Sequence, residues 1–181
     1  MNRKSQEKSI KIHIAFVVSN DMVTDRRMDR ICNSLYKHGY LITLFGIESE
    51  DNRNGLKRNY QTQPIRLWSQ KGPMFYLEFN TRMLIKLLFT PFDAACAVDT
   101  DTLLAVRVAT WIKRKKMIFD AHESYIETPE LNKRLWVKRI WKAIDFLFAR
   151  KLSATYTVNE LMADRLSKYY RMSFEVILNA P

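Results

Sequence analysis

With 181 residues, 47% of them hydrophobic and 27% charged, and only four glycines, the chain has the balance of one globular domain rather than a disordered or fibrous protein. Its 30 Lys and Arg against 19 Asp and Glu leave a formal net charge of +11, which favours anionic partners (phosphates, acidic lipid headgroups or nucleic acid) without choosing among them. No apolar run approaches the roughly 20 residues that cross a bilayer, and the charged N-terminal stretch, residues 1–9, lacks the apolar centre of a secretory signal, so a soluble cytoplasmic protein is expected.

From residue 10 onward the chain reads as alternating strands and helices. Residues 12–18 (IHIAFVV) form a β-branched apolar run suited to a strand buried on both faces. After a polar loop, residues 19–25, the positions Met28, Ile31, Cys32, Leu35 and Tyr36 repeat at helical spacing, and Gly39 marks the stop. Residues 40–45 give a second strand, residues 48–62 a long polar loop, and residues 64–68 a weaker third strand.

Over residues 74–89 the apolar side chains are expected on one side of a helix, with Glu78, Arg82 and Lys86 at four-residue intervals on the other. A fourth strand is expected at residues 94–98. Asp99 or Thr100 then caps a helix whose buried face holds Leu104, Val108, Trp111 and Ile112, with residues 113–116 as its basic end.

Residues 117–120 make the fifth strand. Thr128 and Pro129 look like the cap and first residue of another helix, continued by an apolar stripe from Val137 to Phe148. A sixth strand at residues 154–158, Asn159 as a cap, a helix to about Tyr170 and a last strand at residues 174–178 complete the pattern. The fold class that follows is α/β: a Rossmann-like, three-layer αβα domain over residues 10–181, with a mostly parallel sheet of six to seven strands and a basic tail at residues 1–9. Cys32 and Cys96 fall on a buried helix face and a buried strand and read as free core thiols.

Ligands of open parallel sheets bind beyond the carboxyl ends of the strands, which directs attention to three polar runs: residues 19–27, 99–102 and 120–123. The first has no Gly-x-Gly-x-x-Gly and no Walker lysine, which removes the main support for a dinucleotide or P-loop site, although a helix N-terminus there still offers amide donors to an anion. Asp25 serves equally as a helix cap or a ligand contact. Asp120 and His122, two residues apart at a strand end, point to the same side, where a carboxylate can fix the tautomer of the imidazole and the pair can meet sugar hydroxyls or a leaving phosphate. Most histidines are structural, as the positions of His13 and His38 suggest for them; His122, at a strand terminus among carboxylates, reads as functional.

The segments VSNDMVTDRRMDRICNSLYKHGYLITLFG, FDAHESYIETPEL, TVNELMADRLSKYY and VILNAP, in this order and spacing, resemble the N-terminal domain of family 4-like glycosyltransferases of the GT-B, two-Rossmann-domain class. The first contains the loop form Asn-Asp-x-x-x-Asp-x-Arg, filled here by Asn20, Asp21, Asp25 and Arg27. The resemblance implies transfer of a sugar from a nucleotide-diphosphate sugar to an acceptor, with retention of anomeric configuration and no essential metal or other cofactor. His122 matches a histidine that reaches the transferred sugar, with Asp120 beside it; Glu123 and Glu130 flank that motif as further substrate-binding candidates.

In such enzymes the nucleotide, the diphosphate-binding cations and a sugar-contacting glutamate lie mainly in a C-terminal donor domain. This chain therefore reads as an acceptor-side half, inactive without that domain in cis or trans. Lys133, Arg134, Lys138, Arg139 and Lys142, interleaved with Trp136 and Trp141, read as a helix packed on the core with a solvated basic face, or as a contact with an anionic membrane surface if the acceptor is lipid-linked. The competing class is a non-catalytic pairing module. Nucleic-acid binding ranks last, because the basic residues are dispersed and carry no nucleic-acid motif.

Overall fold

The computed structural model describes residues 11–47, 58–122 and 152–178, together with positions 139, 143, 148 and 149. Seven strands form one sheet: β1 (His13–Asp21), β2 (Leu41–Ile47), β3 (Gln61–Ile65), β4 (Ala94–Val98), β5 (Lys116–Asp120), β6 (Ala154–Thr157) and β7 (Glu175–Val176). Their spatial order is β3-β2-β1-β4-β5-β6-β7, and every neighbouring pair is parallel. The helices are α1 (Arg26–Lys37), α2 (Gly72–Phe89), α3 (Leu103–Lys113) and α4 (Glu160–Tyr170). The expected Rossmann-like three-layer architecture is thus present, with the order of strands reversing between β1 and β4.

Alternation along the strands builds two cores. Ala15, Val17, Phe45, Ala95, Ala97, Met117 and Phe119 face one way and meet Phe79, Met83 and Leu87 of α2, Leu103, Val106 and Ala109 of α3, and Leu166 of α4. Ile14, Phe16, Val18, Ile42, Leu44, Cys96 and Val98 face the other way, onto Met28 and Cys32 of α1. Both thiols are free and buried, as expected. Burial pushes the Cys32 thiol up to about 12 and raises that of Cys96 as well.

Local signals explain where the elements stop. Gly39, at φ +91°, follows α1 in the left-handed region that an L side chain adopts only under strain. Asn159 accepts the Met162 amide at 2.8 Å and starts α4. Lys113, at the end of α3, turns away from its own helix: its Nζ donates to the carbonyls of Leu87, Leu88 and Thr90 at 3.2, 3.2 and 2.5 Å, which closes the C-terminus of α2.

Three expectations are corrected. The buried face of α3 is Leu103, Ala105, Val106, Ala109 and Thr110, while Trp111 is 75% exposed and Ile112 also faces solvent. Alanines at 105 and 109 allow the close approach to the sheet that larger side chains would prevent. α2 does not divide into an apolar and a charged side, because Met74, Leu77, Ile85 and Phe89 are exposed opposite the buried Phe79, Met83 and Leu87. β3 begins three residues before the expected start, since an edge strand with four exposed residues in succession carries no burial pattern to read. The helix expected after Thr128, and most of the apolar stripe that continues it, lie outside the described residues.

One close approach shapes the sheet edge. A Cβ on Gly46 of β2 would stand 2.6 Å from Val18 Cγ2 and 2.9 Å from Met22 Cβ, so the loop after β1 can lie against β2 only because residue 46 has no side chain. Gly46→Ala is expected to cost about 1–3 kcal/mol through overpacking, read as a lower urea midpoint. For the thiols, folding holds the protonated form, so their contribution to stability is complete below the unfolded value of about 8.5 and is lost as pH rises above it toward the folded value. Accordingly, iodoacetamide at neutral pH should label neither cysteine in the native chain and both in urea, and the urea midpoint should fall as pH is raised into the alkaline range.

Candidate functional site

The strand ends and helix starts that face the carboxyl edge place the candidate side chains. β1 pairs with β4 only over Ile14–Val17, then follows β2 alone as far as Asp21, so an opening forms between β1 and β4 where the strand order reverses. The loop that follows is closed on itself. Asn20 donates to Asp25 Oδ2 at 3.0 Å, Asp25 Oδ1 accepts the Met28 amide at 2.9 Å as the cap of α1, and Asp21 Oδ1 accepts the Val23 amide at 2.9 Å. Arg58 fastens the loop from outside, donating to the carbonyls of Met22 and Val23 at 2.6 and 3.2 Å. Asn20, Asp21 and Asp25 therefore shape the loop, and Asp25 caps α1.

Arg27, in the first turn of α1, reaches across to β5. Its Nη2 lies 2.6 Å from Asp120 Oδ1, and its Nη1 lies 3.3 Å from His122 Nδ1. Asp120 has no exposed side-chain surface and Arg27 has 13%, so the pair is held in a medium where charges interact strongly. A cation in the first turn of α1 opposes the helix dipole. Asp120 offsets that cost and holds the Arg27 guanidinium more firmly protonated, against the opposing effect of burial.

His122 is gripped from its other side by Asp99. Its Nε2 is 3.1 Å from Asp99 Oδ2, and its backbone amide donates to Asp99 Oδ1 at 3.1 Å. Asp120 lies 4.0 Å from Nδ1, so the carboxylate at hydrogen-bonding distance from the ring is that of Asp99. Asp99 is one of the two residues, with Thr100, that the sequence offers as a cap for the following helix. Its side chain makes no cap bond to the Thr100–Thr102 turn and is used on His122 instead.

The backbone of Asp99 is unusual. It has φ 60° and ψ 169°, a region essentially reserved for glycine, at a cost of order 1–3 kcal/mol. Its amide donates to the Asp120 carbonyl at 2.8 Å, tying the ends of β4 and β5. Deeper in the opening, Ser19 Oγ donates to the buried Asp101 carboxylate, joining the ends of β1 and β4.

The sequence-derived candidates Arg27, Asp120 and His122 thus come together, while Asp99, Ser19 and Asp101 join them without having been singled out. The available signal for these three was their place in polar runs at the carboxyl end of β1 and directly after β4. Glu123 and Glu130 lie outside the described residues, as does the basic tryptophan-bearing segment apart from Arg139. His13 bonds Thr43 and His38 bonds the Ser34 carbonyl, both away from this edge. Among the described residues no group of three or more His, Cys, Asp or Glu could hold a metal ion, and no described helix is long and apolar enough to cross a membrane.

Neither any protein-family model nor any curated protein sequence matches the chain. Solved structures do. A glycosyltransferase from Rickettsia africae superposes with a TM-score of 0.64 at 14% identity, over 93% of this chain and 43% of its own. The Anabaena protein HepE, solved with UDP-glucose, gives 0.59 at 15% identity, over 94% of this chain and 44% of its own. The fold is that of a GT-B Rossmann-like domain. A UDP-GlcNAc 2-epimerase from Methanocaldococcus jannaschii shares it, at a TM-score of 0.55 and 14% identity, over 93% of this chain and 45% of its own. The chain spans less than half the length of each of the three.

Removing the cation from the site should expose how much the arrangement depends on it. Arg27→Ala leaves Asp120 buried without its counter-charge and is expected to lose about 3–5 kcal/mol in urea denaturation. The double variant Arg27→Ala/Asp120→Asn is expected to recover part of that loss, giving a non-additive cycle.

Proposed function

We propose that this chain is the acceptor-side, N-terminal half of a glycosyltransferase that moves a sugar from a nucleotide-diphosphate sugar to an acceptor. The observation that carries the reading is the cluster of Arg27, Asp99, Asp120 and His122 at the carboxyl edge, beside the point where strand order reverses. Among the described residues this cluster has two carboxylates to one guanidinium, with Asp101 and Ser19 next to it. Asp99 and His122 keep exposed side-chain surface there and can meet sugar hydroxyls, while Asp120 and Asp101 are buried beneath them. These two groups suit an acceptor or the sugar end of a donor, and the diphosphate is left to cations of a second domain.

Retention of configuration, independence of metal, and inactivity of this half by itself belong to the same proposal and rest on the sequence resemblance. So do a lipid-linked or polysaccharide acceptor, a cytoplasmic setting, and an anionic membrane surface met by the basic residues between 133 and 142. Nucleotide-sugar epimerisation is a second reading, favoured by the epimerase among the structural neighbours.

Transfer assayed with UDP-, GDP- and dTDP-sugars is expected to be negligible for the 181-residue chain and to appear once a donor-binding Rossmann half is supplied in cis or trans. In that assembly His122→Ala should lower kcat by about 100-fold, the scale of losing one pre-organised polar contact. Turnover by the isolated chain sinks the half-enzyme reading, and epimerisation without transfer selects the second one.

A further inference from the structure

We propose that Asp99 is a positioning residue that fixes His122 as the neutral tautomer carrying its proton on Nε2, and that the left-handed backbone at Asp99 exists to bring its carboxylate to that nitrogen. The argument begins with Arg27, whose guanidinium can only donate. Its Nη1 at 3.3 Å from His122 Nδ1 requires a lone pair there. The proton then sits on Nε2, where Asp99 Oδ2 at 3.1 Å accepts it. A proton on Nδ1 would face the guanidinium donor, and a proton missing from Nε2 would set two acceptors against each other.

Asp99 holds more than the ring. Its Oδ1 accepts the His122 backbone amide at 3.1 Å, so one carboxylate fixes both main chain and side chain of the same residue. Reaching both requires the carboxylate to turn back over β5 instead of onward over the Thr100–Thr102 turn. The backbone at φ 60° and ψ 169°, secured by the bond of the Asp99 amide to the Asp120 carbonyl at 2.8 Å, makes that turn. Glycine would adopt the same backbone at no steric cost, so an aspartate in its place indicates that the carboxylate is needed. The role of this device in sugar transfer rests on the function proposed above, whereas the tautomer does not, and the two can fail separately.

The chain labelled with 15N-histidine reports the tautomer directly through long-range correlations from the ring carbon-bound protons to Nδ1 and Nε2. Wild type is expected to show His122 with an unprotonated Nδ1 and a protonated Nε2. Asp99→Gly, which keeps the backbone conformation and removes the carboxylate that holds the ring against Arg27, should collapse that pattern to averaged shifts while the chain stays folded. Asp99→Asn, whose single amide oxygen can accept from Nε2 only by setting its NH2 against the His122 backbone amide, should restore it in part. A wild-type ring protonated on Nδ1, or an Asp99→Gly spectrum identical to wild type, overturns the proposal. In the two-half transferase, the same rescue order in kcat (Asp99→Asn above Asp99→Gly) is expected, and equal activity of the two variants would remove the link to catalysis.

Discussion

A carboxylate with no access to water must be met by positive charge or hydrogen-bond donors, and at Asp120 that requirement reaches across the molecule. The guanidinium that meets it comes from the first turn of α1, on the far side of β4 from β5. To reach Asp120, Arg27 must span the opening at the sheet edge, and its second nitrogen then meets His122. The cap by Asp25, the closure by Asn20, the grip of Arg58 on two loop carbonyls and the missing side chain at Gly46 all hold the start of α1 where this reach is possible. The site is therefore a consequence of one buried ion pair and the short segment that delivers its cation.

Much of this could be read in the residues alone, and the reasons differ by element. β4 is a run of small apolar side chains between two aspartates, and its limits at 94 and 98 are those expected. Gly39 and Asn159 are stop and start signals whose physics is local, and both act as expected. The edge strand β3 and the inward face of α3 depend instead on neighbours: the first on having a partner on only one side, the second on alanines that gain their importance from the sheet they approach. No periodicity within either segment contains that information.

The site shows the same division. That Asp120 and His122 share a side follows from the geometry of a strand end, and Arg27 was marked by its loop. The partner of the imidazole was not legible, because an aspartate after a strand has the same appearance whether it caps a turn or reaches back to the next strand. Only the backbone angle at Asp99 tells the two apart, and a single sequence carries no sign of it. This is also the place where local preference, a glycine-like conformation occupied by aspartate, is overruled, which is the usual mark of a position kept for its chemistry rather than for folding.

Lys113 joins two helices by a means that differs from packing. Its ammonium group occupies the carbonyls that end α2 while its backbone belongs to the end of α3. The two helices cover one face of the sheet with their C-termini fastened by a single charge, so they should shift as one panel if that face is ever displaced. Acetylation at this position would abolish the charge, leave one N–H to serve three carbonyls and let each helix fray on its own.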